Sequence, residues 1–60
     1  MWVNVEEVYP NNPGKICVMA EGWRTLVPIF LEWDGKTWIG LAEMKRHYDN
    51  ANIYWYKKDN

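Results

Sequence analysis

A chain of sixty residues whose single cysteine is Cys17 has to fold without an internal disulfide. For a domain of this length, hydrophobic burial contributes on the order of 85 to 95 kcal/mol. Ordering the chain costs about 90 kcal/mol, so the folded state is marginal unless something adds to it. Five tryptophans, four tyrosines and one phenylalanine can do so, since a buried Trp or Tyr removes about 150 to 250 Å² from water. We therefore expect one small domain, residues 1–60, stabilised by aromatic packing or by oligomerisation.

Turn residues divide the chain into strand-like segments. PNNPG at 10–14 and EG at 21–22 are typical turn sequences, and Asp34-Gly35 is the strongest hairpin signal. The intervening segments are rich in alternating β-branched and aromatic residues, which predicts strands at 15–21, 23–33, 37–40 and 53–58. Pro28 cannot donate to a ladder, so it predicts an edge or a bulge there. Residues 2–5 form a short first strand or merely pack, and 5–9 could be a single turn before Pro10.

One segment has a helical period instead. Residues 40–49 place Leu41, Met44 and Tyr48 on one face of a helix that is too short to be stable alone, so it must lie on the sheet. The sequence therefore predicts an α+β fold that is mostly β. We expect a three- to four-stranded antiparallel meander with one short helix, at about 41–48, before the last strand.

The order of tryptophans and turns resembles a family of small phage and prophage proteins of unknown function. The chain opens with Trp, seven residues and Pro (WVNVEEVYP), continues with an Asp-Gly turn followed by Trp (DGKTW), and ends with Trp in the last strand (IYW). The matched positions are Trp2, Val3, Val5, Pro10, Val18, Gly35, Trp38 and Trp55. Tyr9 and Tyr54 depart from it, standing where the family has leucine and histidine. The resemblance implies a phage or prophage origin and a bacterial cytosol, but no chemistry.

Groups that could carry chemistry are scarce. Cys17 lies between Ile16 and Val18 and is expected to be a small buried thiol, and His47 is expected on the helix surface. Neither a metal site nor a cofactor site is predicted, so we expect no enzyme activity. A net charge of −1 gives no field for an anionic membrane, and the longest apolar run, 26–31, is too short to span one. The lone thiol and the absence of a secretion signal predict a cytoplasmic protein.

The surplus of aromatic rings is the feature that points to function. Trp2, Trp38 and Trp55 are the best core candidates. Tyr54 and Tyr56 share the face of the last strand opposite Trp55. They either shield the sheet beneath the 41–48 helix or form an exposed patch, and such patches mark partner surfaces. The candidate partner-binding residues are Trp23, Arg24, Trp33, Tyr54, Tyr56 and Lys57.

The leading hypothesis is a non-enzymatic binding module whose partner is a host protein, which it could inhibit, or a second copy in a homodimer. The alternative is a single-stranded nucleic-acid binder in which Trp23, Tyr54 and Tyr56 stack on bases, with Arg24, Lys57 and Lys58 near the phosphate backbone. Weak basicity argues against this alternative, because phosphate contacts carry most of such affinity.

Overall fold

The protein folds into one antiparallel sheet with a short helix before the last strand. A computed structural model describes residues 1–22 and 28–58. In chain order its elements are β1 (Trp2–Asn4), β2 (Gly14–Ala20), β3 (Ile29–Trp33), β4 (Trp38–Ile39), α1 (Leu41–His47) and β5 (Ile53–Tyr56). The predicted α+β class, mostly β, is confirmed, as is the position of the helix.

The five strands of the described chain lie in the order β1-β5-β2-β3-β4, and all neighbours are antiparallel. Strands β2, β3 and β4 form the expected meander. The last strand is inserted between the first two, so the first and last strands lie side by side. Beyond the paired strands, the Met1 ammonium donates to the Lys57 carbonyl at 2.9 Å, and the Lys57 amide donates to the Met1 carbonyl at 2.7 Å. The sheet has more strands than the three or four expected, because residues 2–4 pair rather than merely pack.

One face of the sheet, which we call the inner face, carries the core. Strand alternation directs every second side chain to it. The buried residues packed there are Val5, Val18, Ala20, Leu31, Trp33, Trp38, Ile53 and Trp55. Three indoles form a row through this core: the ring centroids of Trp33 and Trp38 are 5.1 Å apart, and those of Trp38 and Trp55 are 6.5 Å apart. Large rings therefore do fill the core of this short chain.

A turn at residues 5–8 covers part of the inner face. The amides of Glu7 and Val8 both donate to the Asn4 carbonyl, at 3.0 and 3.1 Å, which confirms a single turn before Pro10. Two indoles hold this turn against the sheet. Trp38 Nε1 donates to the Val5 carbonyl and Trp55 Nε1 to the Val8 carbonyl, each at 2.8 Å. The rings thus supply both apolar area and hydrogen bonds that satisfy turn carbonyls.

Helix α1 packs on the same inner face. Leu41, Met44 and Tyr48 are half-buried and pack against the core, as their spacing predicts. Gly40 precedes the helix with φ 81°, a left-handed conformation that glycine adopts without a steric penalty. An ion pair between Lys45 on the helix and Glu6 in the turn joins the two covering segments.

The Asp34-Gly35 hairpin is present, and its loop has four residues. Trp33 pairs with Trp38, so residues 34–37 connect the strands. Asp34 Oδ1 accepts the amides of Lys36 and Thr37, each at 2.7 Å, and Gly35 has φ 103°. Strand β3 starts directly after Pro28. The proline therefore lies outside the hydrogen-bonded ladder, and its missing N–H removes no donor from the ladder.

Candidate protein-binding face

The opposite side of the sheet, which we call the outer face, is largely apolar. Its side chains alternate with those of the core along each strand. They are Trp2 and Asn4 on β1, Lys15, Cys17 and Met19 on β2, Phe30 and Glu32 on β3, Ile39 on β4, and Tyr54 and Tyr56 on β5. Every strand contributes to this surface, so it is continuous from one edge of the sheet to the other.

Large apolar side chains on this face are unusually accessible. Phe30 is 53% exposed, Tyr56 55%, Ile39 51%, Trp2 44% and Met19 40%. Elsewhere in the described chain, Met1 and Tyr9 are the other large hydrophobic residues of comparable exposure. The exposed rings and aliphatic chains are therefore concentrated rather than scattered, and a concentrated apolar patch is typical of an interaction surface.

The strand register fixes how these side chains adjoin. Trp2 pairs with Tyr56, and their rings meet edge to face with centroids 5.5 Å apart. Tyr54 lies opposite Met19, and Cys17 lies opposite Phe30. Cys17 is the middle residue of β2, which is the central strand of the sheet. The thiol is exposed there, so the prediction that it is buried is wrong: it points away from the face that the helix and turn cover.

Charge on the outer face is balanced. Lys15 and Glu32, its charged residues in the part of the chain that is described, are direct partners in the register of β2 and β3. Directly opposed residues on antiparallel strands have Cβ atoms about 4.5 to 5.5 Å apart. The face therefore presents a neutral apolar field with one positive and one negative group side by side at its end.

The predicted partner-binding residues fall in different places. Tyr56 and the half-buried Tyr54 both lie on the outer face, and Lys57 is exposed where β5 ends. Trp33 does not belong with them: it is 4% exposed on the inner face and stacks on Tyr9, with centroids 5.1 Å apart and an angle of 11° between the planes. Trp23 and Arg24 lie outside the described residues.

Trp2 is the converse case, since it was expected in the core and is exposed on the outer face. Its neighbour Val3 points inward and pairs with Trp55, so alternation turns Trp2 outward. The other residues that sequence reasoning missed are Met19, Phe30 and Ile39. The sequence does contain a pattern that indicates them. The β2 segment has apolar residues on both of its faces, which predicts a second apolar surface.

Helix α1 does not shield this surface. Its apolar residues Leu41, Met44 and Tyr48 pack on the core, which places the helix on the inner side. Of the two alternatives for Tyr54 and Tyr56, cover by the helix is therefore wrong. The five strands instead present these tyrosines on the side away from α1.

A cleft of about 520 Å³ lies on the other side of the molecule, between the 34–37 loop, the 5–8 turn and α1. Trp33 and Trp38 contribute to its floor, but both are nearly fully buried, and the Glu6–Lys45 ion pair lies at its wall. Within the described ranges there is neither a group of three metal-binding side chains nor a buried side-chain polar atom without a partner. The exposed ring surface of the cleft comes from Tyr9, which is 56% exposed and stacks on the buried Trp33.

Asp34 is the carboxylate near this cleft with a perturbed proton affinity. The backbone amides of Thr37 and then Lys36 donate to it and lower its pKa below the ordinary value of 3.8. A lowered pKa keeps the group ionised at neutral pH, where it closes the hairpin loop. The arrangement suits a structural cap of the 34–37 loop.

Comparison with protein-family models, with curated proteins and with solved structures found no significant match to this chain. Separately, none of the helical residues that are described forms a segment long and apolar enough to cross a membrane.

Proposed function

We propose that this protein is a non-enzymatic binding module that works by burying the outer face of its sheet against another protein. The observation that carries the proposal is the concentration of exposed Trp2, Met19, Phe30, Ile39 and Tyr56 on one continuous surface. Aromatic residues and methionine are enriched at the centres of protein interfaces, and charged residues are depleted there. The outer face has this composition, with its charges at one end.

Charge balance on this face favours a protein over a nucleic acid. A single-strand binder combines stacking rings with a basic groove that follows the phosphates. On the outer face Lys15 is offset by Glu32, its partner across the strands. A phosphate backbone would therefore gain little electrostatic attraction at this face. A neutral, apolar protein surface could be buried against it without leaving a charge unpaired.

The biological setting is part of the same proposal. The order of tryptophans and turns resembles small phage and prophage proteins, and Cys17 stays chemically stable as a thiol in a reducing compartment. We place the protein in the cytoplasm of a bacterial host. If its partner is a host protein, covering a working surface of that protein would inhibit it.

The test is a comparison of tagged baits in a lysate of a bacterial host that also expresses an untagged copy of the chain. The baits are the wild type, Tyr56→Glu, and the control Asn12→Glu, which adds the same charge at an exposed position in the turn before β2. We expect wild type and control to retain the same protein and Tyr56→Glu to lose it by at least about tenfold, which corresponds to about 1.4 kcal/mol. Retention of one protein by all three folded baits, or of none by the wild type, would overturn the proposal.

A further inference from the structure

The balanced charges and the strand register of the outer face indicate which protein it binds. We infer that the surface it buries is the outer face of a second copy, in a two-fold dimer of packed sheets. The inference rests on the proposed function, since it names the partner of that same face. Three features of the face carry it: the relation between its charges, its extent, and the position of its apolar rows.

The charges are self-complementary. Lys15 on β2 and Glu32 on β3 are opposed in the register, one strand spacing apart. A two-fold axis in the plane of the interface, parallel to these strands and midway between them, exchanges the two positions. Lys15 of each copy would then face Glu32 of the other, giving two opposite-charge contacts at the same end of the interface. A foreign partner would need its own matching pair at this spacing.

The same axis brings apolar side chains together. Cys17 and Phe30 are also register partners, so each would face the other residue in the second copy. Cys17 is a small side chain and Phe30 a large, exposed one, which is the alternation of sizes that lets two layers interdigitate. Sheets pack about 10 Å apart, a distance that such side chains span from both sides.

The extent of the face fits a modest interface. An axis between β2 and β3 superposes β5, β2, β3 and β4 on the same four strands of the second copy and leaves β1 at the rim. Four strands at about 4.8 Å spacing, the longest of seven residues, give a shared surface on the order of 20 Å by 20 Å. Two such faces bury roughly 800 Å², which is below the ~1,200 Å² of standard specific complexes and in the range of weak, transient ones. We therefore expect a weak, reversible dimer that is populated toward the top of the micromolar-to-millimolar range of protein concentration.

The experiment has two readouts on the complete chain. Sedimentation equilibrium between about 1 µM and about 1 mM should show the mass rise from 7.2 kDa toward twice that value. At the high concentration, isotope-filtered NOE spectra of a mixture of ¹³C-labelled and unlabelled copies should show intermolecular contacts between the Phe30 ring and Cys17. Val18, which points to the core, should show none.

Charge exchange tests the pairing. Lys15→Glu places two acids at each contact and should weaken the dimer by up to about tenfold, while Lys15→Glu/Glu32→Lys should restore it. Asn12→Glu, away from the face, should leave the Kd unchanged. Comparison of these three variants shows whether a loss of dimer affinity comes from the Lys15–Glu32 contacts rather than from the change in net charge.

Two results would overturn the inference. One is a 7.2 kDa species throughout the concentration range, and the other is a dimer whose intermolecular contacts exclude Phe30 and Cys17. A monomer that still retains a host protein, and loses it with Tyr56→Glu, would reject the second copy and leave the proposed binding function intact. A chain that neither dimerises nor retains any protein would reject both.

Discussion

Single indole N–H groups tie the 5–8 turn to the sheet. Trp38 and Trp55 each donate at 2.8 Å, to the carbonyls of Val5 and Val8. Trp38 is 8% exposed and Trp55 9%, so water has little access to replace these bonds. Phenylalanine would supply an apolar ring at either position but would leave the carbonyl without this donor. The requirement is therefore for tryptophan specifically.

Trp38→Phe should lower the free energy of unfolding by about 1 to 3 kcal/mol, because a buried carbonyl loses its partner. In a domain of this size each kcal/mol lowers Tm by roughly 4 to 8 °C. Thermal unfolding followed by circular dichroism measures the change. The matched control is Trp2→Phe at an exposed position, with an expected change within about 0.5 kcal/mol. Equal losses in the two variants would contradict the assignment.

Asp34 should make stability depend on pH in the acid range. Its folded pKa is lowered by the amides of Thr37 and Lys36, so the unfolded chain binds its proton more readily than the folded chain does. The stabilisation is present above the ordinary value of 3.8 and is lost as pH falls through the lowered folded pKa. Asp34→Asn keeps an acceptor oxygen without the charge, so its stability deficit should shrink over that window. Side-chain ¹³C titration measures the pKa directly, and a value at or above 3.8 would contradict this account.

For single residues, the sequence predicted the correct face of the sheet for some aromatic rings and the wrong face for others. Trp38 and Trp55 are in the core as predicted. Trp33 was expected outside because it ends a strand, yet it shares the face of Ile29 and Leu31 and is covered by Tyr9. Alternation shows which residues share a face. It does not show that a distant tyrosine closes over the strand end.

At the scale of elements, the junction of β4 and α1 depends on one glycine. The strand ends at Ile39 and the helix begins at Leu41, so Gly40 alone turns the chain, at φ 81°. A Cβ at this position would meet no atom within 4 Å. The cost of substitution is therefore a backbone cost and not a collision.

Gly40→Ala should lower the free energy of unfolding by about 1 to 2 kcal/mol, the penalty of left-handed backbone for an L residue. Gly40→Asn should lose less, because asparagine tolerates this conformation better. Urea unfolding of the two variants beside the wild type measures the difference. If alanine and asparagine were equally harmful, the cause would be something other than the backbone conformation.

Local pattern could predict the helix, the turn at 5–8 and the Asp34-Gly35 hairpin, because each depends on neighbouring residues. It could not place β5 between β1 and β2, since that pairing joins opposite ends of the chain. Nor could it decide which side of the sheet the helix covers, because β2 is apolar on both sides. The candidate face was therefore predicted in part, through Tyr54 and Tyr56, and completed by Trp2 and Phe30 in the structure.

For the whole molecule, one sheet separates two uses of large side chains. On the inner face they form a core closed by the turn and the helix. On the outer face the same strands present accessible rings that α1 does not cover. A marginal small domain gains stability when association covers apolar area, because a ligand of the folded state shifts the folding equilibrium toward that state. Binding and folding are thus linked in this account.

The most direct test measures how a soluble paramagnetic agent broadens the methyl signals of Met19 and Ile39 on the outer face, with Val18 in the core as reference. In dilute protein we predict strong broadening of Met19 and Ile39 and little of Val18. As the protein concentration rises into the range of the dimer, Met19 should become protected while Val18 stays unchanged. Met19 and Ile39 signals shielded as fully as Val18 in the most dilute sample would contradict the existence of an open outer face.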